Sequence, residues 1–240
     1  MALLKRLILC LLVLQLSSCD IKDLNQVLDT VLNDSSVLSN EQIGQGLKEA
    51  LNLGISKGAD RLSVQDGYFK SAYKILLPPE ARKVTEKLQN IPGFNQVENI
   101  ILEKINRGAE DAAKKAKPIF VAAIKQMTFS DVMNILMGEK NAATQFLNRA
   151  TYDKLYAEFN PVIVNSLDKF KAREYWSKAT DTYNKVPFTQ KVNPRLDDYV
   201  TNQALDGLFA MVAKEELNIR NNVAARTTDL LKKVFAKQDN

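Results

Sequence analysis

The chain has 240 residues and a net charge of +5, from 33 Lys and Arg against 28 Asp and Glu. It contains no histidine and two cysteines, Cys10 and Cys19, both near the N-terminus. These absences exclude Ser-His-Asp and Cys-His catalysis and the usual zinc, copper and haem ligand sets, so any site is built from carboxylates, amides, hydroxyls, Lys, Arg or Tyr.

Lys5 and Arg6 form a short basic region ahead of the apolar run Leu7–Leu16, and Ser17 and Ser18 lead into Cys19. As a helix that run reaches roughly 15 Å, about half of a hydrocarbon core, so it is expected to be a signal peptide and not an anchor. The tetrad Leu16-Ser17-Ser18-Cys19 resembles the lipobox of bacterial lipoproteins. That resemblance implies cleavage between Ser18 and Cys19 and a diacylglyceryl group on the Cys19 thiol, with a further acyl chain such as palmitate on the new amino terminus. Cys10 does not compete, because the large Leu9 precedes it and cleavage there would truncate the apolar run. The mature domain then has no free thiol and no disulfide. Two or three acyl chains anchor durably where one binds marginally, at about 0.8 kcal/mol per buried methylene. The expected location is the cell envelope, facing the periplasm and held to a membrane by the lipid on Cys19. Asp20 resembles the inner-membrane retention signal of some enteric bacteria, a rule that varies among lineages, so inner versus outer membrane stays open. Removing residues 1–18 takes Lys5 and Arg6 and no acid, leaving 31 basic against 28 acidic residues, net +3. So small an excess on an exported domain argues against nucleic acid as a partner.

Residues 19–40 read as a lipidated N-terminus and tether, in which Leu24, Val27, Leu28, Val31 and Leu32 have the spacing of a short amphipathic helix. The domain, residues 41–240, opens with Ser39 as N-cap and a helix whose inner face is Ile43, Leu47, Ala50/Leu51, Gly54/Ile55, Ala59 and Leu62. Gly54 and Gly58 share a face and suit a close helix crossing. A turn at Asp66–Lys70 follows, then a helix from Pro78 and Pro79 to about Asn90, closed by Pro92-Gly93. Val97 to Met127 traces one long apolar stripe, which Pro118 is expected to kink or split at Lys117. Ser130 is the expected cap of a short helix ending at Gly138, and Asn141–Arg149 forms another. Thr151 is the expected cap of the next, with Leu155, Phe159, Val162, Ile163, Ser166 and Phe170 facing inward and a bend at Pro161. A helix over Glu174–Lys185, a loop or short extended pair over Val186–Pro194, and helices over Leu196–Arg220 and from Thr227 or Thr228 to Lys237 complete the chain. No later segment offers about 18 consecutive apolar residues. Alternating strand patterns are nearly absent, so the expected fold is all-α, a single compact multi-helix domain after a cleaved lipoprotein signal peptide.

The strings Lys114–Leu136, Asn141–Leu147, Asp198–Phe209 and Ala225–Phe235, with Gly46–Leu51, Asp66–Lys70 and Ile75–Glu80, resemble the bacterial domain-of-unknown-function family numbered 4197. The resemblance runs from about Gly46 to Phe235 with its motifs in order. It implies a helical, exported, often lipid-anchored protein of Gram-negative bacteria, and it brings no catalytic residues to carry over.

Each candidate site has a plainer competitor. Tyr68, Phe69 and Lys70 combine two aromatics and a charge on a turn, a candidate ligand or partner surface, although aromatics folding back over the core explain them equally well. Asp206, Arg220, Arg226 and Asp229 are candidate polar struts that pair across helix ends. Asp197, Asp198, Asp206, Glu215 and Glu216 lie on or beside one predicted helix, on which positions 198, 206 and 216 do not fall on a single face. Lys114, Lys115 and Lys117 can meet anionic headgroups or simply face water. Met127, Met133 and Met137 suit either a flexible apolar groove or ordinary core. No catalytic residue, metal site or cofactor is assigned. The expected function is a non-enzymatic module that binds an envelope protein partner or an apolar ligand. Its rivals are a carboxylate-based hydrolase or hard-cation site, which requires carboxylates converging in a cleft with raised pKa values, and a structural spacer.

Overall fold

A helix survives in this chain where apolar residues recur every three or four positions and another element covers the resulting stripe. The computed structural model describes residues 38–79, 94–169, 171–185, 187–188 and 191–236. They form α1 (Asn40–Ser63), α2 (Phe94–Ala113), α3 (Ala116–Lys125), α4 (Phe129–Leu136), α5 (Ala142–Asp168), α6 (Ala172–Asn184), α7 (Leu196–Asn221), a 3-10 turn (Val223–Ala225) and α8 (Asp229–Phe235), with no strand among the described residues. Asn40–Asn240 is one compact unit, so the all-helical single-domain expectation holds. The signal peptide, Cys19, the tether helix and the body of the helix expected after Pro79 lie outside the described residues.

α7 organises the packing. It lies against α5, α1 and α2, and α5 in turn meets α2, α3, α4 and α6. Val200, Ala204, Leu205 and Leu208 are fully enclosed, and Phe209 meets Phe120 of α3 edge-to-face at 5.8 Å between ring centres. Glycines let α1 come close to its neighbours. A Cβ at Gly54 would sit 3.4 Å from Ile219, one at Gly58 3.2 Å from Met211, and one at Gly46 2.5 Å from Val234 of α8. The Gly54/Gly58 pair therefore marks the expected helix crossing, against α7.

The inner faces match the periodicity closely, while the ends differ in three places. The break in the long stripe falls at Lys114–Lys115 and not at Lys117, so Pro118 occupies the third position of α3. There its missing N–H costs nothing, because the first turn has no intrahelical acceptor for it. α4 is capped by Thr128 and not Ser130. The Thr128 hydroxyl accepts from the Asp131 N–H at 3.2 Å and Asp131 accepts from the Thr128 N–H at 2.8 Å. These two bonds form a capping box, and the Thr128 hydroxyl, donating to the Asp131 carboxylate at 2.7 Å, followed by the Thr128 N–H, pulls that carboxyl below its ordinary value. The segments expected as two helices around Thr151 are one continuous α5, with Pro161 inside it. Thr151 is buried, and its hydroxyl donates to the Leu147 carbonyl at 2.6 Å, which satisfies the side chain without ending the helix.

Candidate functional site

Three buried charged side chains, Glu216, Arg220 and Arg226, meet main-chain groups at helix ends. Asn141 precedes α5 without a capping side chain, and Glu216 of α7 serves instead. Its Oε1 accepts from the Ala143 N–H at 3.0 Å, and its Oε2 from the Thr144 N–H at 2.8 Å and the Thr144 hydroxyl at 2.7 Å. One turn on, Arg220 donates to Glu216 at 3.0 Å and to the Ile135 carbonyl at the end of α4 at 2.8 Å. A carboxylate thus meets the positive end of α5 and a guanidinium the negative end of α4, both favourable to the helix dipoles. Arg226, 1% exposed, donates to the Ile219 and Arg220 carbonyls at 3.0 and 2.8 Å and covers Phe235 at 5.5 Å.

Arg220 and Arg226 thus lie buried at helix ends, whereas Asp206 and Asp229 form their bonds elsewhere. Asp229 is exposed and pairs with Lys232 at 3.1 Å. Asp206 is exposed on α7 and accepts from Gln203 at 3.3 Å. It precedes Glu216 by ten residues, about 2.8 turns, which rotates it off the strut face. Nearby protein still crowds it enough for partial burial to raise its carboxyl pKa. A raised folded-state value means that Asp206 favours the fold below its ordinary value of 3.8 and weakens it once ionised. Asp206→Asn is expected to raise the melting temperature at pH 7, and the gain is expected to vanish in melts at pH 3.5.

The Asp66–Lys70 turn is also a strut. Tyr68 is fully buried, so it is part of the core and not of a ligand surface. Its hydroxyl donates to the Ala204 carbonyl at 2.7 Å, and burial, followed by the charge of Glu110, pushes its pKa up. Glu110 accepts from both the Tyr68 and Phe69 N–H groups at 3.1 Å, and Arg107 ties Glu110 to Asp66 at 2.7 Å each. Hydrogen bonds from Arg107 and then Lys70 hold the Asp66 carboxyl below its ordinary value. Phe69 is half-buried beneath Lys74 and Arg107, and Lys70 is exposed. Of the three candidate surface residues, Lys70 alone is free of the core.

The carboxylates of α7 are dispersed among partners. Glu215 pairs with Arg61, Asp197 with Arg195 at 3.3 Å, and Asp198 accepts from Tyr156 at 2.6 Å and Asn193 at 3.2 Å. Desolvation, then the Asp198 hydrogen bond, pushes the Tyr156 phenol up to about 12. Among the described residues no three Asp, Glu, His or Cys side chains are placed to hold a metal ion. Lys114, Lys115 and Lys117 are exposed, and Lys114 pairs with Asp111 at 2.8 Å.

Two openings in the surface differ in kind. One, lined by Leu47, Leu51, Ile55, Leu147 and Val212 among others, has a volume of about 20 Å³, room for little more than one water. The other is a cleft of about 570 Å³ between the start of α1 and the α3–α4 corner. Asn40, Glu41, Gly44, Gln45 and Lys48 form one wall, and Met127, Thr128, Phe129 and Val132 the other. Lys48 closes its floor by donating to the Met127 carbonyl at 3.0 Å and the Lys125 carbonyl at 3.4 Å, at the end of α3. Phe129 is 44% exposed, and a Cβ at Gly44 would meet no atom within 4 Å. Of the methionine stretch, Met127 alone reaches this cleft; Met133 is half-buried elsewhere and Met137 is exposed. Sequence reasoning missed Gly44, Lys48 and Phe129. The available signal was a glycine inside a helix at a position that the apolar stripe does not use.

The model of the family described as a protein of unknown function, DUF4197, matches residues 37–236. The chain belongs to that family. No curated protein and no solved structure matches it.

Proposed function

We propose that this member of the family is a lipid-anchored envelope protein whose helical domain binds a helix of a partner protein in the α1–α4 cleft, without catalysis. The observation that carries the binding part is Gly44. A glycine in a helix interior costs roughly 0.5–1 kcal/mol relative to alanine, and three of the four α1 glycines, Gly46, Gly54 and Gly58, each offset that cost with a close neighbour. Gly44 has none, and beside it lie a half-exposed Phe129 and two opposite charges, Glu41 and Lys48, two turns apart. That wall suits an amphipathic helix presenting a small or apolar residue between a basic and an acidic one. Pairing of Glu110, Glu215 and Glu216 with arginines supports the non-catalytic reading, because each buried glutamate is occupied as a structural acceptor.

The tetrad Leu16-Ser17-Ser18-Cys19 supports anchoring, and no single helix among the described residues is long and apolar enough to cross a membrane. Mass spectrometry of the protein purified from membranes is expected to find a diacylglyceryl adduct on Cys19, and Cys19→Ser is expected to release the chain from the membrane fraction. Equal retention of that variant would sink the anchoring reading. For the cleft, a photoreactive residue at position 129 is expected to crosslink one discrete envelope protein, with no crosslink from a probe at exposed Lys140. A crosslink unchanged by Gly44→Trp would rule out the cleft as its seat.

A further inference from the structure

We infer that the tip of the α6–α7 loop is a second, reversible contact with the membrane, in which Phe188 enters the headgroup region and Lys185 and Lys191 meet anionic lipid. This rests on the reading that the chain is held at a membrane. The loop is presented by a built neck. Asn184, the last residue of α6, donates to the Val192 carbonyl at 2.8 Å and accepts from the Val192 N–H at 2.8 Å, so one amide closes both sides of the loop. Trp176 adds a third tie, its indole N–H donating to the Asn193 carbonyl at 3.0 Å. Beyond that neck Phe188 is fully exposed, at 109% of its reference area, with φ at +65°. A bulky residue rarely adopts that backbone region, and among the described residues none covers the ring to compensate.

An isolated exposed phenylalanine is ordinary on a protein surface, but this one has a specific setting. It follows Pro187 and stands between two exposed lysines, Lys185 and Lys191, with no acidic residue from 185 to 191. Aromatic rings favour the membrane–water boundary, and lysines flanking them reach anionic headgroups through flexible apolar stems. Each such lysine strengthens binding about fivefold on a negatively charged surface. The tether does not forbid the geometry. Between Cys19 and Asn40 the chain can span at most roughly 70 Å, so any face of the domain can turn to the bilayer.

Trp176 is the only tryptophan, which makes Phe188→Trp a clean reporter. The full-length processed protein, parent and variant, is reconstituted into vesicles of phosphatidylethanolamine and phosphatidylglycerol with brominated acyl chains. Emission from the added tryptophan is expected to shift to the blue and to be quenched by bromine, while the parent changes little. Replacing both lysines, Lys185→Ser and Lys191→Ser, is expected to reduce the quenching, as are vesicles of phosphatidylcholine alone. Equal melting temperatures check that the variants fold. If the protein floats with the vesicles but the residue 188 emission stays unshifted and unquenched, the loop contact is wrong and the anchor stands. If Cys19 carries no lipid, the anchor reading fails, and quenching of the unlipidated chain on the same vesicles at high lipid concentration still decides the loop.

Discussion

Glu216→Ala is expected to destabilise the domain by about 3–5 kcal/mol, the cost of leaving a buried charge without its partner. Arg220 would keep the Ile135 and Leu136 carbonyls at the end of α4 but lose the carboxylate beside it, and the Ala143 and Thr144 N–H groups would lose their acceptor at the start of α5. Urea unfolding should therefore show a lower midpoint with little change in slope. Glu216→Gln retains an amide oxygen for the N–H groups and is expected to fall between the two. The diagnostic variant is the double one, Glu216→Leu with Arg220→Met. For a simple buried ion pair, apolar replacement of both partners is often neutral or stabilising. Here both partners also cap backbone groups, each of which costs roughly 1–3 kcal/mol when buried and unsatisfied. The double variant should thus remain at least about 2 kcal/mol below the parent. A double variant as stable as the parent would show that the pair does not serve the helix ends at all.

These caps also explain what was legible in the sequence. Buried faces are set by spacing along one helix, and of the predicted inner residues of α1, Leu47, Ala50, Leu51, Gly54, Ile55, Ala59 and Leu62 are enclosed, while Ile43 near the start is half-buried. Local caps follow the same logic. Thr228 was readable, and its hydroxyl accepts from the Leu231 N–H at 3.3 Å. Thr128-Phe129-Ser130-Asp131 was readable too, as a box in which Asp takes the place of the usual Glu, although Ser130 is the more obvious candidate. The start of α5 was not readable. Its acceptor is Glu216, about seventy residues on, and the end of α3 is held by Lys48, nearly eighty residues back. No local pattern announces a cap supplied from another helix.

The candidate struts divide along the same line. Arg220 and Arg226, both candidate struts, are buried. A sequence offers carboxylates as the obvious partners of arginine, and Arg220 does pair with one, Glu216 one turn back on its own helix. Arg226 instead donates to main-chain carbonyls of α7, and main-chain groups are the same at every position. Tyr68 was ambiguous for a related reason. A turn aromatic and a core aromatic look alike until the fold supplies Ala204 and Glu110 as its partners.

Two glycines separate what the fold requires from what it leaves open. A Cβ at Gly67 would fall 2.5 Å from the Arg61 carbonyl oxygen and 2.6 Å from that of Leu62, contacts with backbone that no rotamer relieves. Gly67→Ala must therefore move the turn away from the end of α1 and disturb the Glu110 bonds to the next two N–H groups, at an expected cost of roughly 1–3 kcal/mol. Gly44→Ala should do the opposite. With nothing near its Cβ, it gains helix propensity and is expected to stabilise the domain by about 0.5–1 kcal/mol in urea titrations. The space beside Gly44 is where the proposed partner helix would pack. Gly44→Trp tests that use directly, since it fills the cleft beside Phe129 without touching the core. Its expected signature is a melting temperature at or above the parent's together with loss of the crosslink formed from position 129. Loss of stability in Gly44→Trp would instead mean that the cleft is too narrow to admit another chain, and the partner site would have to lie elsewhere.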